Sequence, residues 1–287
     1  MRRLAVIALS AFMAAACGDV NDALVQLSTA RNVSADLQVQ FTKAADAANR
    51  AVMSESETLS TSFAAEAETA KSAVDSDIKA LRPLLARLKY TEETRLLDEF
   101  EAAFSAYRGL DGTVLGLAVE NTNVKAQALA FGAAQQAVDD FKQAAESIRP
   151  ARPERDAWQV KALAASAVSA AREIQVLQAA HIPNADDAAM ASLELQMKAA
   201  EAAARSSIAS LSPLASADSH SRLVSATTAL DHVIAVNSEI VTLSRRNSNV
   251  RSLAISLDQK QKATAACDTA ARALHDALAR RGYPAGR

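Results

Sequence analysis

Residues that turn a chain are scarce in this sequence, and that scarcity limits the folds open to it. Seven Gly and six Pro are spread over 287 residues, whereas average usage would put roughly 12 % of a chain into these two types. Sandwiches, barrels and propellers need turn chemistry at short intervals, so they are excluded. Little is left for a glycine-rich phosphate loop. Ala, the strongest helix former, occurs 68 times, close to a quarter of the chain. Hydrophobic residues reach 50 % and charged residues 22 %, which separates the chain from disordered sequences. Aromatics at 4 % predict a thin core of small side chains. A net charge of -2 lacks the basic excess of a nucleic-acid binder, so no nucleic-acid partner is expected.

Apolar or small residues recur at three- and four-residue steps in every long segment, the pattern of packed helices. Leu24, Leu27, Leu37 and Phe41 mark the first helix, and Val74, Ile78, Leu81 and Leu85 the second. Phe100, Phe104, Tyr107 and Val114 mark the third, and Phe131, Val138 and Phe141 the fourth. Short breaks near Met53, Tyr90 and Asn121 predict antiparallel neighbours. Arg149-Pro150-Ala151-Arg152-Pro153 cannot continue a helix and is read as a module boundary. Four further helical segments follow, and the two halves share residues. Ile78 to Leu84 matches Ile208 to Leu214 at a shift of 130, and Asn121-Thr122-Asn123-Val124-Lys125 matches Asn247-Ser248-Asn249-Val250-Arg251 at a shift of 126. The expectation is an all-α chain of two tandem antiparallel four-helix bundles, residues 17–149 and 154–281, forming an elongated rod behind a signal peptide at 1–16.

The leader reads as an export signal. Arg2 and Arg3 precede the uncharged run Leu4 to Ala16 and the small residues Ala14-Ala15-Ala16. That run is too short for a stable span of a ~30 Å hydrocarbon layer. Cys17 directly after it resembles the bacterial lipoprotein box, with Ala14 standing where that box usually has Leu. The resemblance implies a diacylated Cys17 anchored in a membrane; Gly18 rather than Asp after it carries no inner-membrane retention signal. The expected location is the cell envelope, at the periplasmic face of an outer membrane. Ordinary cleavage after Ala16, leaving a free thiol, is the alternative. No apolar run of spanning length follows residue 17. Cys267, the other cysteine, is expected to be a buried thiol; a disulfide with an unlipidated Cys17 stays open.

Phe100 to Arg108, Val114 to Ala118 and Ala126 to Phe131, together with Leu243 to Ala254, resemble the extracytoplasmic four-helix-bundle sensor of methyl-accepting chemotaxis receptors. The resemblance implies a periplasmic bundle that dimerises along its length and binds a small ligand or a loaded binding protein. It also implies membrane-spanning and signalling parts, none of which is read in this sequence. The function expected is therefore a lipid-anchored, sensor-like module with a small ligand, an envelope receptor or a second copy as partner; a structural envelope lipoprotein is the alternative.

One segment invites an anion. Arg245, Arg246 and Arg251 flank an expected helix start at Asn247, Ser248 and Asn249, where free N–H groups and the helix dipole could hold a carboxylate or phosphate. The other possibility is a capped turn with solvated arginines. Asn237 is a polar residue on an apolar seam, and Trp158 is expected to pack at the module junction. His181, His220, His232 and His275 are scattered without metal-ligand spacing, so no metal or cofactor is expected. Gly109, Gly112 and Gly116 could admit a close helix neighbour. The sequence contains no recognised catalytic motif, and no enzyme activity is expected.

Overall fold

The computed structural model describes residues 2–282, with side chains from Asn21 to Gly282. The side chains of the leader and of Cys17, on which export and lipidation rest, lie outside the described residues. What is described is an all-α chain. The helices are α1 (Arg2–Val52), α2 (Glu57–Leu88), α3 (Thr91–Glu120), α4 (Thr122–Phe131), α5 (Ala133–Glu146), α6 (Pro153–His181), α7 (Asp187–Leu211), α8 (His220–Arg246), α9 (Ser248–Ile255) and α10 (Gln261–Arg280). A π-helical segment, Ser256–Lys260, joins α9 to α10. Among the described residues no helix is long and apolar enough to cross a membrane.

Local chemistry sets the ends. Pro153 opens α6 at a position whose N–H needs no partner. Asp186 caps α7 by accepting from the N–H groups of Ala188 and Ala189. Lys89 ends α2 in the left-handed conformation, donating its N–H back to the last turn. Pro83 does not end α2, which runs five residues beyond it.

The compact units are not the tandem halves. One comprises residues 1–119 with 252–287, and the other Glu120–Arg251. The boundaries 17–149 and 154–281 therefore give way, although the repeat itself is visible in the burial pattern. Leu37, Phe41 and Ala44 recur as buried Ala167, Ala171 and Ile174, and Phe100, Phe104 and Val114 recur as buried Ala226, Leu230 and Ile240. The fourth helices have changed places. Phe141 and Val138 of the first repeat pack with Val160, Ala167 and Leu230 of the second. Cys267, Ala271 and Leu274 of the second repeat pack with Leu37, Phe41 and Phe100 of the first. The physical reason is loop length. A helical hairpin needs a connection of about two to five residues. A single residue, Asn121, separates α3 from α4, and a single residue, Asn247, separates α8 from α9. Both are left-handed, with φ of 50° and 53°. One residue cannot fold a helix back onto its predecessor, so each fourth helix completes the other repeat's bundle.

Within the first unit, Phe41 meets Phe100, Phe104 and Tyr107 edge-on at centroid distances of 5.1 to 6.2 Å. These positions hold Ala171, Ala226, Leu230 and Val233 in the second unit, so the two cores share a register but not a filling. Cys267 is fully buried, and burial pushes its thiol up to about 12. Trp158 departs from expectation: it is 72 % exposed, on the outer face of α6.

Candidate functional site

The two Asn-Thr/Ser-Asn segments meet. Thr122 N donates to Ser248 Oγ at 3.1 Å, and Ser248 N donates to Thr122 Oγ1 at 3.0 Å. Asn123 N donates to Asn249 Oδ1 at 3.1 Å, and Asn249 N returns the bond to Asn123 Oδ1 at 3.2 Å. Asn249 Nδ2 reaches Asn121 Oδ1, and Asn123 Nδ2 reaches Asn247 Oδ1. Each segment thus caps the other's helix start with side-chain oxygens, in a nearly two-fold arrangement. The N–H groups that an anion would have used at Ser248 and Asn249 are bonded here. Of the arginines, Arg245 donates Nε–H to Glu194 at 2.6 Å and also reaches Asp187. Arg246 forms a forked pair with Glu120, and Arg251 is exposed. The Arg246 guanidinium holds the Glu120 carboxyl below the usual range, and the Arg245 guanidinium does the same to Glu194. Arg245, Arg246, Asn247, Ser248 and Asn249 therefore form a structural clasp, because protein carboxylates and amides already occupy the groups that would bind an anion, while Arg251 stands exposed beside it.

A second constellation has the outline of a catalytic triad. His181 Nδ1 lies 2.8 Å from Ser244 Oγ, and its Nε2 lies 3.0 Å from Glu194 Oε1. Ser244 and His181 are wholly buried, and the Ser244 hydroxyl donates to the His181 carbonyl at 3.0 Å. The Ser244 hydroxyl is thus held by both the backbone and the ring of His181 inside the packed interior, and the group ties the end of α6 to α8. Asn237 is half-buried and accepts from Gln178 Nε2 at 2.8 Å.

The first unit buries charge that sequence reasoning missed. Asp111, fully buried on α3, accepts from Lys71 Nζ at 2.6 Å and from Lys260 Nζ at 3.0 Å. The Tyr107 hydroxyl donates to it at 3.3 Å. Lys71 has a second partner, Glu68, whose side chain is 59 % exposed. Lys260 has Asn49 Oδ1, at 3.5 Å. Burial pulls the Lys260 ammonium below its ordinary range against the opposing charge of Asp111. Burial raises the Tyr107 phenol, and Asp111 adds to it. Asp111 corresponds to Asn237 in the second unit at the same shift of 126. Each unit thus has a polar centre on its third helix, charged in one and neutral in the other.

Beside this network a cavity of about 400 Å³ opens between the end of α1 and the π-helical segment. Asn49, Val52 and Met53 form one wall; Leu253, Ser256, Leu257, Lys260 and Gln261 form the other. The second unit has a cavity of about 240 Å³ at the matching residues. There Gln127, Ala130, Phe131 and Gln135 stand for Leu253, Ser256, Leu257 and Gln261, while Ala179, Ile182 and Pro183 stand for Asn49, Val52 and Met53. Both cavities sit where the fourth helix is irregular. In the first unit the irregularity is the π-helical turn, a feature often found at functional sites. In the second it is Gly132, with φ -105° and ψ -92°, which breaks α4 from α5. A side chain there would place Cβ 2.9 Å from the Ala128 carbonyl, so the break requires glycine. Leu257 and Phe131 stand at the two mouths, 65 % and 80 % exposed. Because the fourth helices are exchanged, each cavity is built from one wall of each repeat.

The signal for this site is present in the sequence. Lys71, Asp111 and Lys260 fall on the buried stripes of their helices, at three- or seven-residue steps from Val74, Val114 and Cys267. A charge on an apolar stripe has to be paired or functional. Among the described residues no group of His, Cys, Asp or Glu is arranged to hold a metal ion. A methyl group added at Gly109, Gly112 or Gly116 would meet nothing within 4 Å, so no helix among the described residues approaches them. Comparison with protein-family models, with curated proteins and with solved structures finds no match to this chain.

Proposed function

We propose that the chain is an exported, lipid-anchored, sensor-like module that binds a small ligand inside its helical units and presents the bound state to an envelope partner. The observation that carries this reading is the recurrence of a cavity at equivalent residues of both units, each beside an irregular turn of the fourth helix. A scaffold needs neither the cavity nor the irregularity. Regular Ala-rich helices would pack closer and more stably without them. The irregular turn also offers a local element that a ligand can tighten, which is how occupancy could alter an outer surface. The leader and Cys17 support the export and anchoring part of the reading.

A thermal-shift screen of small metabolites on the chain from Cys17 onward tests the binding part. A ligand at one hundred times its dissociation constant adds about 2.7 kcal/mol of stability, well within detection. A broad screen without a shift would favour a structural envelope lipoprotein. Mass spectrometry of the mature protein tests the anchor: acylated Cys17 is expected, and an unmodified thiol removes the lipid.

A further inference from the structure

We propose that the cavity of the first unit takes a small organic monocarboxylate, held by the Lys260 ammonium and the Asn49 amide, with its hydrocarbon part along Leu253 and Leu257. This rests on the ligand-binding reading above and names the ligand class for one of the two cavities.

The argument begins with charge. Two buried ammonium groups, Lys71 and Lys260, share a single buried carboxylate, Asp111. Lys71 draws on Glu68 at the surface as well. Among the described residues Lys260 has no second carboxylate; beyond Asp111 it meets the amide oxygen of Asn49 at 3.5 Å, near the limit of a hydrogen bond, and the face of the Tyr107 ring, 5.7 Å from its centroid. An ammonium has three donors, and a buried cation is costly unless it is paired and fully hydrogen-bonded. Lys260, 1 % exposed, and Asn49 both line the cavity, so a carboxylate that displaces the Asn49 oxygen gives the ammonium, already paired with Asp111, a further charged acceptor. Asn49 can rotate its amide to donate its Nδ2–H₂ to the second oxygen.

The walls define the rest of the ligand. Val52, Leu253 and Leu257 are apolar, and Leu257 is 65 % exposed at the mouth. Asp268 also lines the cavity and is partly exposed. It disfavours a second negative charge, so a monocarboxylate fits better than a dicarboxylate. The volume of about 400 Å³ lies at the small end of ligand cavities, which span roughly 300–1,000 Å³. The second unit is an internal control. Ala134 stands in place of Lys260, and Ala179 in place of Asn49. Its cavity therefore has no cation or amide at the corresponding point.

The test uses straight-chain carboxylates of two to six carbons and their primary amides, titrated into isotope-labelled protein and followed by methyl NMR. The expected result is saturable perturbation of the Leu253, Leu257 and Val52 methyls by carboxylates. The amides should bind at least tenfold more weakly, since a hydrogen bond to a charged group contributes about ten- to hundredfold in affinity. Lys260→Met should abolish the preference for the acid, leaving Asp111 paired with Lys71. Leu257→Trp, at an exposed mouth position, should block binding without touching the buried network; it serves if Lys260→Met fails to fold. Amides binding as well as acids, or full acid binding by Lys260→Met or Leu257→Trp, would overturn the ligand class while leaving a binding module. Perturbation confined to residues around Phe131 would overturn the assignment to this cavity. If neither these probes nor the metabolite screen gave binding in either cavity, the ligand-binding reading itself would fail.

Discussion

Asp111→Asn isolates the cost of the buried charge network. The substitution keeps the size and one acceptor oxygen of the side chain but removes the buried anion between Lys71 and Lys260, which lie 2.6 and 3.0 Å from its oxygens. Breaking a buried ion pair by removing one partner costs about 3–5 kcal/mol. Lys71 keeps Glu68, so the lower end, about 3 kcal/mol, is expected. For a unit of this size that corresponds to roughly a 10 °C fall in Tm. The loss should shrink on the alkaline side, and the sign follows from proton counting. Lys260 already has a folded-state pKa below its ordinary value, and removing Asp111 lowers it further. Between the folded pKa and about 10.4 the unfolded chain binds more protons than the folded one, so stability rises with pH in that window. Thermal unfolding followed by circular dichroism at pH 7 and pH 10, on wild type and variant, measures the difference directly. The alkaline effect of Cys267 is common to both proteins and cancels; Tyr107 loses the contribution of Asp111 in the variant but keeps the larger one from burial. A variant that loses under ~1 kcal/mol at pH 7, against the ~3 expected for a broken buried pair, would refute the network as described. An equal loss at both pH values would refute the protonation argument.

Other outcomes follow from the same contacts. Cys267, raised to about 12 by burial, keeps its proton in the folded state while the unfolded thiol ionises near 9, so stability should fall as pH rises between these values. Cys267→Ala should flatten that fall in urea titrations at pH 8 and pH 11, and an unchanged slope would remove the thiol as its cause. Ser248→Ala strips partners from the buried Thr122 N–H and should cost about 2 kcal/mol, whereas Thr122→Ser, which retains the hydroxyl, should cost under about 0.5 kcal/mol. Similar losses for the two in denaturant titrations would contradict the reciprocal cap. Gly132→Ala should destabilise, because its Cβ would crowd the Ala128 carbonyl, while Gly112→Ala, in open helix, should stabilise by about 0.5–1 kcal/mol. Equal signs in calorimetry would count against the break at Gly132.

Much of the fold is legible because helical periodicity states which face of a segment is buried. Phe100, Phe104, Tyr107 and Val114 are core residues, as their spacing requires. Periodicity does not state which helix covers that face. The exchange of fourth helices is therefore hidden from it, even though its cause, the one-residue connections at Asn121 and Asn247, is short enough to see. The repeated Asn-Thr/Ser-Asn motif stands out in the sequence and points, by its chemistry, to an outside anion. Its partner is instead its own copy, 126 residues away, a pairing that only the exchange makes possible. Arg245 and Arg246 stand out for their charge; Glu194, the partner of Arg245, lies on another helix with nothing in the sequence to link them, whereas Glu120 is the repeat counterpart of its partner Arg246, 126 residues away. The buried lysines escape a sequence reading because a lone Lys in an Ala-rich helix is usually solvated. Lys71 and Lys260 differ only in the phase at which they fall.

The exchange of fourth helices also builds both cavities, and it can be tested by cutting the chain along the two competing divisions. Residues 120–251 carry α4 to α8 and should unfold as a single cooperative, monomeric helical unit when expressed alone. Residues 154–281, the second sequence repeat, lack the α4–α5 partner that covers Val160, Ala167 and Leu230. That fragment should melt broadly or pair with a second copy of itself. A cooperative monomer from 154–281 together with an unfolded 120–251 would contradict the exchange and the cavities built on it.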